Sequence, residues 1–523
     1  MTKVEIFNRL NELTSYFSFG RILGEIVYEE NIGIYNQLER SILPENERII
    51  NTEIELLAGL WLSNVNISKN WDEINDSVYI REVYSLLYRL HQTFTPNKNT
   101  SISEQLKEIA FYEGDEAYDW QLIKYAEKKY EAKELSSLLI DRFNYNISYI
   151  SSTYYKITKY IEKNVIRWRR DKHDELVSPI DIFTIKTDDF NSIFNDEEKC
   201  IIKQFTFKLG ESKALQISDI GDRNSFKLSP IIEMPFGKGY LVLNNQTLAI
   251  SMNESPFYWI SETGFFKDKE LGNIKGKTSE NLVCEILSTQ LSPSYIYKDV
   301  IIQRDKKGSN QKTDVDIMTI VDDSAIIYQV KSKKLSELSK KGDAEAIIRD
   351  AEKGVFKAYE QGVKSVQCLE NQEKYMISSN IPSLKEYKFY NICITTEQYP
   401  TISSIEFIKS KEIDINDLPL ICMSLYDLEI IFLLFKSNEL VDYLKFRSNC
   451  ARYNVYGLSE VYYIGLFLQC SANRAPYPCN YKIPRIYGII VDWLIKRIWY
   501  DHLLIRDIND VFSLMKKCPI KSA

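Results

Sequence analysis

The chain has 523 residues and a net charge of −7, from 66 Lys and Arg against 73 Asp and Glu, which argues against a protein that coats nucleic acid by bulk positive charge and leaves local patches as the only electrostatic route. With 44% apolar and 27% charged residues it is ordinary globular material, enough for about three or four domains, and no apolar run approaches the roughly 20 residues that span a bilayer. Nine cysteines without a CxxC and three scattered histidines (His91, His173, His502) exclude a disulfide framework, a zinc site and histidine-based chemistry; with the amphipathic start Met1-Thr2-Lys3-Val4-Glu5, they predict a reduced cytoplasmic protein with no membrane partner.

In chain order, residues 1–176 carry helical periodicity, as in Leu56-Leu57-Leu60-Trp61 and Val83-Leu86-Leu87-Leu90, and read as a helical N-terminal domain. Near its end, residues 156–172 hold 7 basic and 2 acidic residues with Tyr160 and Trp168 interleaved. This run fits either a track for a phosphate backbone with stacking aromatics or a solvated helix face. Short β-like runs at 200–209, 226–233 and 239–248 mark 177–262 as a small β-containing connector.

Residues 263–410 carry the chemistry. Gly272-Asn273-Ile274-Lys275-Gly276-Lys277-Thr278 imitates a phosphate loop but has three residues between its glycines where the Walker pattern needs four. It reads instead as the start of a helix over 281–290, capped by Thr278 or Ser279. Strands are predicted at 295–303 and 389–395, with a helix over 343–361 between hairpin and last strand. Residues 411–523 read as a helical C-terminal region, with Ser424-Leu425-Tyr426-Asp427 as a capping signal before an apolar helix at 428–434. The helical flanks read as scaffold, dimer interface or target recognition.

The hairpin joins Thr313-Asp314-Val315-Asp316-Ile317-Met318 to Tyr328-Gln329-Val330-Lys331-Ser332-Lys333. A turn centred on Asp322-Asp323 makes paired positions sum to 645, setting Asp316 opposite Gln329 and Asp314 opposite Lys331 on one sheet face. Carboxylate, amide and ammonium groups so gathered suit Mg²⁺ or Mn²⁺, which need only one or two carboxylates beside water and phosphate oxygens. Asp316 is the first ligand, Gln329 a ligand through its amide oxygen, and Lys331 the group that orients water and compensates phosphate charge. Asp314 is either a second ligand or the ion-pair partner of Lys331. The region 298–341 is locally basic, with 10 Lys and Arg against 7 Asp and Glu.

Asp316, Gln329 and Lys331, with the predicted order αβββαβ, resemble the PD-(D/E)XK or restriction-endonuclease-like nuclease superfamily over roughly residues 263–400. The resemblance implies a central αβββαβ restriction-endonuclease-like core and does not cover the rest; with the helical N- and C-terminal regions read above, the chain is an α+β multidomain protein. The resemblance also carries over a helix acid. Glu280 borders the apolar face formed by Leu282, Val283, Ile286 and Leu287, whereas Glu285 lies away from it. The glutamine departs from the commoner Glu or Asp, as in Mrr-like restriction enzymes, and removes one negative charge. What is implied is a Mg²⁺-dependent endonuclease acting on nucleic acid, DNA before RNA, in restriction or antiviral defence, as a homo-oligomer or with a defence partner. The alternatives are an inactive core that only binds nucleic acid or assembles, and a nuclease for RNA or branched repair intermediates.

Overall fold

The computed structural model describes residues 1–31, 49–93, 117–170, 178–211, 214–304, 312–378, 380–396 and most of 418–519, with 399, 402, 406, 409, 412 and 413 between. It is a mixed α+β protein of two compact units, one covering 1–114 and 118–271 and the other 272–523 with 115–117. No helix among the described residues is long and apolar enough to cross a membrane. Of the eight described cysteines, all but Cys200 are buried.

In the first unit, helices Lys3–Thr14, Phe19–Asn31, Asn51–Asn64 and Asp76–Gln92 pack together, and Asp119–Lys129 packs on Asn245–Glu262. A four-stranded sheet runs in the order Thr184–Ile185, Gly239–Val242, Ile231–Met234, Thr206–Lys208. The predicted β runs are therefore shorter than expected: 200–204 ends the helix Asp196–Gln204, 226–228 lies in the turn of helix Ser225–Leu228, and 245–248 opens Asn245–Glu262. Side-chain caps decide this. Asn195 and Glu198 exchange hydrogen bonds at 2.9 Å in a capping box, and Asn244 accepts from Thr247 N at 3.1 Å.

The basic run lies largely on helix Ile150–Arg170. Lys156 pairs with Glu198 at 2.6 Å, Tyr160 donates to Asp189 at 2.6 Å, and Trp168 meets Tyr28 edge-on at 6.2 Å. Both aromatics are thus engaged within the unit, which favours the helix-face reading; Lys172 lies outside the described residues.

The second unit is built on a six-stranded mixed sheet. Helix α1 (Asp268–Ser288) leads into β1 (Ile296–Arg304), β2 (Lys312–Val321) and β3 (Ser324–Lys331). Helices α2 (Ala344–Ala351) and α3 (Lys357–Leu369), joined by a π-helical turn (Glu352–Phe356), precede β4 (Tyr375–Ile377), β5 (Lys388–Thr395) and β6 (Ile421–Ser424). The spatial order is β6-β5-β3-β2-β1-β4; β1, β2 and β3 pair antiparallel, whereas β3, β5 and β6 run parallel. Helix α3 packs across β2, β3 and β5, so the β3-to-β5 connection is a helical crossover of the kind parallel strands require.

The apolar interior explains the order. β3 is buried along nearly its whole length, the mark of a central strand covered on both faces. Ala325 and Ile327 join Val300, Ile302, Val315, Met318 and Ile320 against Val366 and Leu369 of α3. Each of the valine, leucine, isoleucine and methionine side chains contributes roughly 1.5–3 kcal/mol on burial. Leu282, Val283, Ile286 and Leu287 of α1 are buried as the sequence predicts. The helix start is corrected: α1 begins at Asp268, so neither Thr278 nor Ser279 is an N-cap. Gly272 and Gly276 sit inside the helix, and the hydroxyl of Ser279 bonds instead to that of Thr396 at 2.8 Å.

Beyond β6 follow helices α4 (Leu425–Leu434), α5 (Ser437–Arg452), α6 (Glu460–Asn473), α7 (Arg485–Tyr500) and α8 (Ile508–Met515). Ser424 and Asp427 form the predicted capping box, with Ser424 Oγ accepting from Asp427 N at 3.1 Å. Arg447, fully buried, donates to Glu406 at 2.9 and 3.0 Å and to Glu460 at 2.8 Å, and its guanidinium lies 3.7 Å from the Tyr463 ring centroid.

Candidate active site

The β2–β3 ladder runs from Val321–Ser324 to Ile317–Tyr328, each pair summing to 645 as predicted, and stops there. Beyond that point the strands follow different neighbours. β2 stays with β1 as far as Gln303–Lys312, while β3 stays with β5 as far as Lys331–Thr395. The sheet opens into a notch between them. Asp316, Gln329 and Lys331 lie where the strands part, one to three positions past the last ladder pair.

Two predicted pairings are corrected by this divergence. Asp316 and Gln329 are not ladder partners; the main-chain N–H of Val330 donates to Asp316 Oδ2 at 2.7 Å, the carboxylate standing in for a strand carbonyl. Asp314 does not face Lys331 either. The ammonium lies 3.6 Å from Asp316 Oδ2, and Asp314 Oδ1 accepts from Gln361 Nε2 of α3 at 2.9 Å. Asp314 is therefore not the ion-pair partner of Lys331.

Strand alternation also slips at the notch. Val315 and Met318 of β2 enter the same apolar cluster, as do Val300 and Ile302 of β1 with Tyr297 packed against it. The slip falls at Asp316 and Asp299, which lie between the flanking pairs Lys298–Ile317 and Val300–Val315. Asp299 has φ +49°, the left-handed region that aspartate tolerates better than most residues.

Gln329 is fully buried in the central strand. Its Nε2 donates to Asp314 O at 3.0 Å, but its Oε1 has no hydrogen-bond partner among the described residues. An orphaned buried acceptor costs roughly 1–3 kcal/mol, so a fold that retains one invites a ligand there.

The acids repel one another. Burial, then the charges of Asp316 and Asp299, push the Glu280 carboxyl up to about 7, with Lys331 and Lys277 offsetting part of the rise. Burial also raises Asp316, against the pull of Lys331 and the Val330 N–H, and Asp314 adds to the rise. Carboxylates held in a half-buried notch with unfavourable mutual charge are the arrangement a bound cation relieves.

Among the described residues no group of three or more Asp, Glu, His or Cys is close enough to hold an ion by itself. The donors near the notch are Glu280, Asp316 and the Gln329 amide oxygen, all hard. This set fits a Mg²⁺-like ion that keeps much of its shell as water and phosphate oxygens, and not a soft or fully protein-ligated metal. Asp299 and Gln361 escaped the sequence reading: Asp299 looks like any polar interruption of a strand, and Gln361 is 47 residues from Asp314.

Comparison with protein-family models, curated proteins and solved structures returns no match, so geometry and chemistry alone carry the functional reading.

Proposed function

We propose that the second unit is a metal-dependent nuclease core of the restriction-endonuclease-like type, hydrolysing phosphodiester bonds in nucleic acid, with DNA the first substrate to test. The element order α1-β1-β2-β3-α2/α3-β5, with a short β4 interposed, supports the fold analogy, which sets a prior and no more. The observation that carries the reading is the convergence of Glu280, Asp316 and Lys331 on the notch beside the orphaned Gln329 Oε1.

Glu280, Asp316 and the Gln329 amide oxygen would hold the ion, which supplies Lewis-acid polarisation of a phosphoryl oxygen and a lowered pKa for bound water. The chain's own residues do the rest. Asp316, fixed through Oδ2 by the Val330 N–H, orients the ammonium of Lys331 3.6 Å away. Lys331 in turn orients the attacking water and compensates charge building on the scissile phosphate. Asp314 and Gln361 hold the β2 backbone against α3 through two hydrogen bonds, to Asp314 Oδ1 at 2.9 Å and Asp314 O at 3.2 Å, which keeps the notch open. Restriction or antiviral defence is the biological setting this chemistry suits, in a protein proposed to work in the cytoplasm.

The test is incubation of the purified chain with plasmid, linear duplex, single-stranded DNA and RNA, with and without Mg²⁺ or Mn²⁺. Cleavage of at least one substrate that needs the ion supports the reading, and no cleavage of any substrate with either ion sinks it.

A further inference from the structure

Immediately after Lys331 the chain becomes strongly basic: residues 331–343 hold five lysines against Glu337 and Asp343, and no aromatic residue. A run of this kind is ordinarily a loose solvated loop. Here it is tied down at one point. Asp350 of α2, with its side chain only 9% exposed, accepts from Lys333 Nζ at 2.5 Å, from Ser336 N at 2.7 Å and from Ser339 Oγ at 2.7 Å. Burial opposes ionisation of that carboxyl, but the bonds from Lys333, Ser339 and Ser336 outweigh it and hold the group well below the usual carboxylate range.

The anchor shapes the whole segment. Ser336 caps a single helical turn, Glu337–Lys340, which ends at Gly342 with φ +76°, where the N–H of Asp343 returns to Leu338 O at 3.1 Å. Asp343 then caps α2 by accepting from Ala346 N at 2.7 Å. The stem of Lys333 lies at van der Waals distance from where a Cβ on Gly354 of the π-helical turn would be, 3.8 Å. Lys340, 3.8 Å from Glu337, and Lys341 are thereby carried at the end of a braced turn, and Lys334 lies on the stretch between Lys333 and Ser336, both of which are bonded to Asp350.

We infer that the Asp350-anchored segment 332–343 is a backbone brace that contacts the phosphates of a nucleic-acid duplex beside the notch, with Asp350 as its positioning residue. This rests on the nuclease reading for its biological purpose but not for its chemistry. Phosphates are the partner that a run of lysines recognises, and without aromatics the segment has no platform on which to stack unpaired bases. Bracing matters because a lysine fixed in place before binding loses less side-chain and backbone freedom on contact.

The experiment is fluorescence anisotropy of a labelled DNA duplex with the full chain in EDTA, across a salt series. Four proteins are compared: the wild type, the triple variant Lys334→Gln/Lys340→Gln/Lys341→Gln, Asp350→Ala and Asp350→Asn. The triple variant should bind at least about ten-fold more weakly at moderate salt and lose about two to three units of salt slope, one per lost phosphate contact. Asp350→Ala keeps those three lysines, yet should also weaken binding; Asp350→Asn, which can still accept from Ser336 and Ser339, should restore part of it. If Asp350→Ala fails to fold, the triple variant decides alone. An unchanged salt slope in the triple variant, or no duplex binding by the wild type, overturns the brace. Stronger binding to a single strand than to the duplex also overturns it. Duplex binding that depends on the brace without ion-dependent cleavage leaves the brace standing and removes the nuclease reading instead.

Discussion

The main-chain N–H of Val330 donates to the carboxylate of Asp316 at 2.7 Å, at the point where β2 and β3 stop pairing. A strand partner would have offered a carbonyl; here a charged side chain takes its place, so a bond from the β3 main chain to β2 past the end of the ladder is also the bond that orients a candidate metal ligand. Both contacts of Asp316 fall on Oδ2, and Oδ1 accepts no hydrogen bond among the described residues.

Asp316→Asn separates these roles. The amide oxygen still accepts from Val330, so the notch should survive, and loss of the partly buried 3.6 Å ion pair with Lys331 should cost no more than about 1 kcal/mol, because the substitution also removes the burial penalty on the Asp316 carboxylate. Ion-dependent cleavage should fall at least about a hundred-fold because the anionic ligand is gone. Thermal unfolding and single-turnover cleavage, measured on the same preparation, check both halves.

Glu280 gives a pH prediction with a definite sign. Its carboxyl is raised from 4.5 to about 7, so between those values the folded protein holds a proton that the unfolded chain has released. Stability contributed by this group is full below the lower value, falls as pH rises through the window, and stays reduced above it. Glu280→Gln removes the penalty. The variant should melt with the wild type near about pH 5 and above it near about pH 8, while losing the rise in Mg²⁺ affinity that the wild type gains across the window. Equal melting temperatures at both pH values would show that Glu280 is not held in the strained environment described.

Gln329→Glu places a carboxylate where the orphaned amide oxygen now lies. Without an ion the fully buried charge should destabilise the fold; with Mg²⁺ the loss should be recovered, so the variant's melting temperature should climb more steeply with Mg²⁺ than the wild type's. Its metal optimum for cleavage should move to lower concentration while turnover falls, because added negative charge opposes the scissile phosphate. Superimposable metal titrations of the two proteins would mean that Gln329 does not touch the ion.

Arg447→Met tests the C-terminal helices. The guanidinium is the partner of Glu406 and Glu460 in a fully buried cluster, and burial, with Glu460 and against Arg447, already pushes Glu406 up to about 7. Removing the cation leaves two buried acids uncompensated and should cost about 3–5 kcal/mol. Chemical denaturation of the variant measures it, and a loss below about 1 kcal/mol would contradict the described cluster.

How much of this was legible follows from what is local. The hairpin register came from a two-residue turn and strand alternation, and it holds at every ladder pair from Val321–Ser324 to Ile317–Tyr328. The Ser424 capping box is likewise a four-residue signal. The notch was not legible, because it depends on Val300–Val315 and Lys331–Thr395 holding their strands apart, contacts remote in sequence. The early start of α1 was missed for a related reason: Gly272 and Gly276 each cost about 1 kcal/mol relative to alanine in a helix, a penalty that tertiary context overrides. At 200–209 the β-like composition is outweighed by the capping box of Asn195 and Glu198, a local signal that starts the helix Asp196–Gln204.

The proposed function stands or falls on ion-dependent phosphodiester cleavage at the Asp316–Lys331 notch. The most direct measurement is single-turnover cleavage by the wild type and by Lys331→Ala, each with Mg²⁺ and with EDTA, alongside duplex binding in EDTA. The account predicts cleavage only by the wild type with Mg²⁺, a loss of at least about a hundred-fold in the variant, and nearly equal binding, since one lysine supplies transition-state charge compensation but only one of many phosphate contacts. Undiminished cleavage in EDTA, or a Lys331→Ala variant that cuts at the wild-type rate, would contradict it.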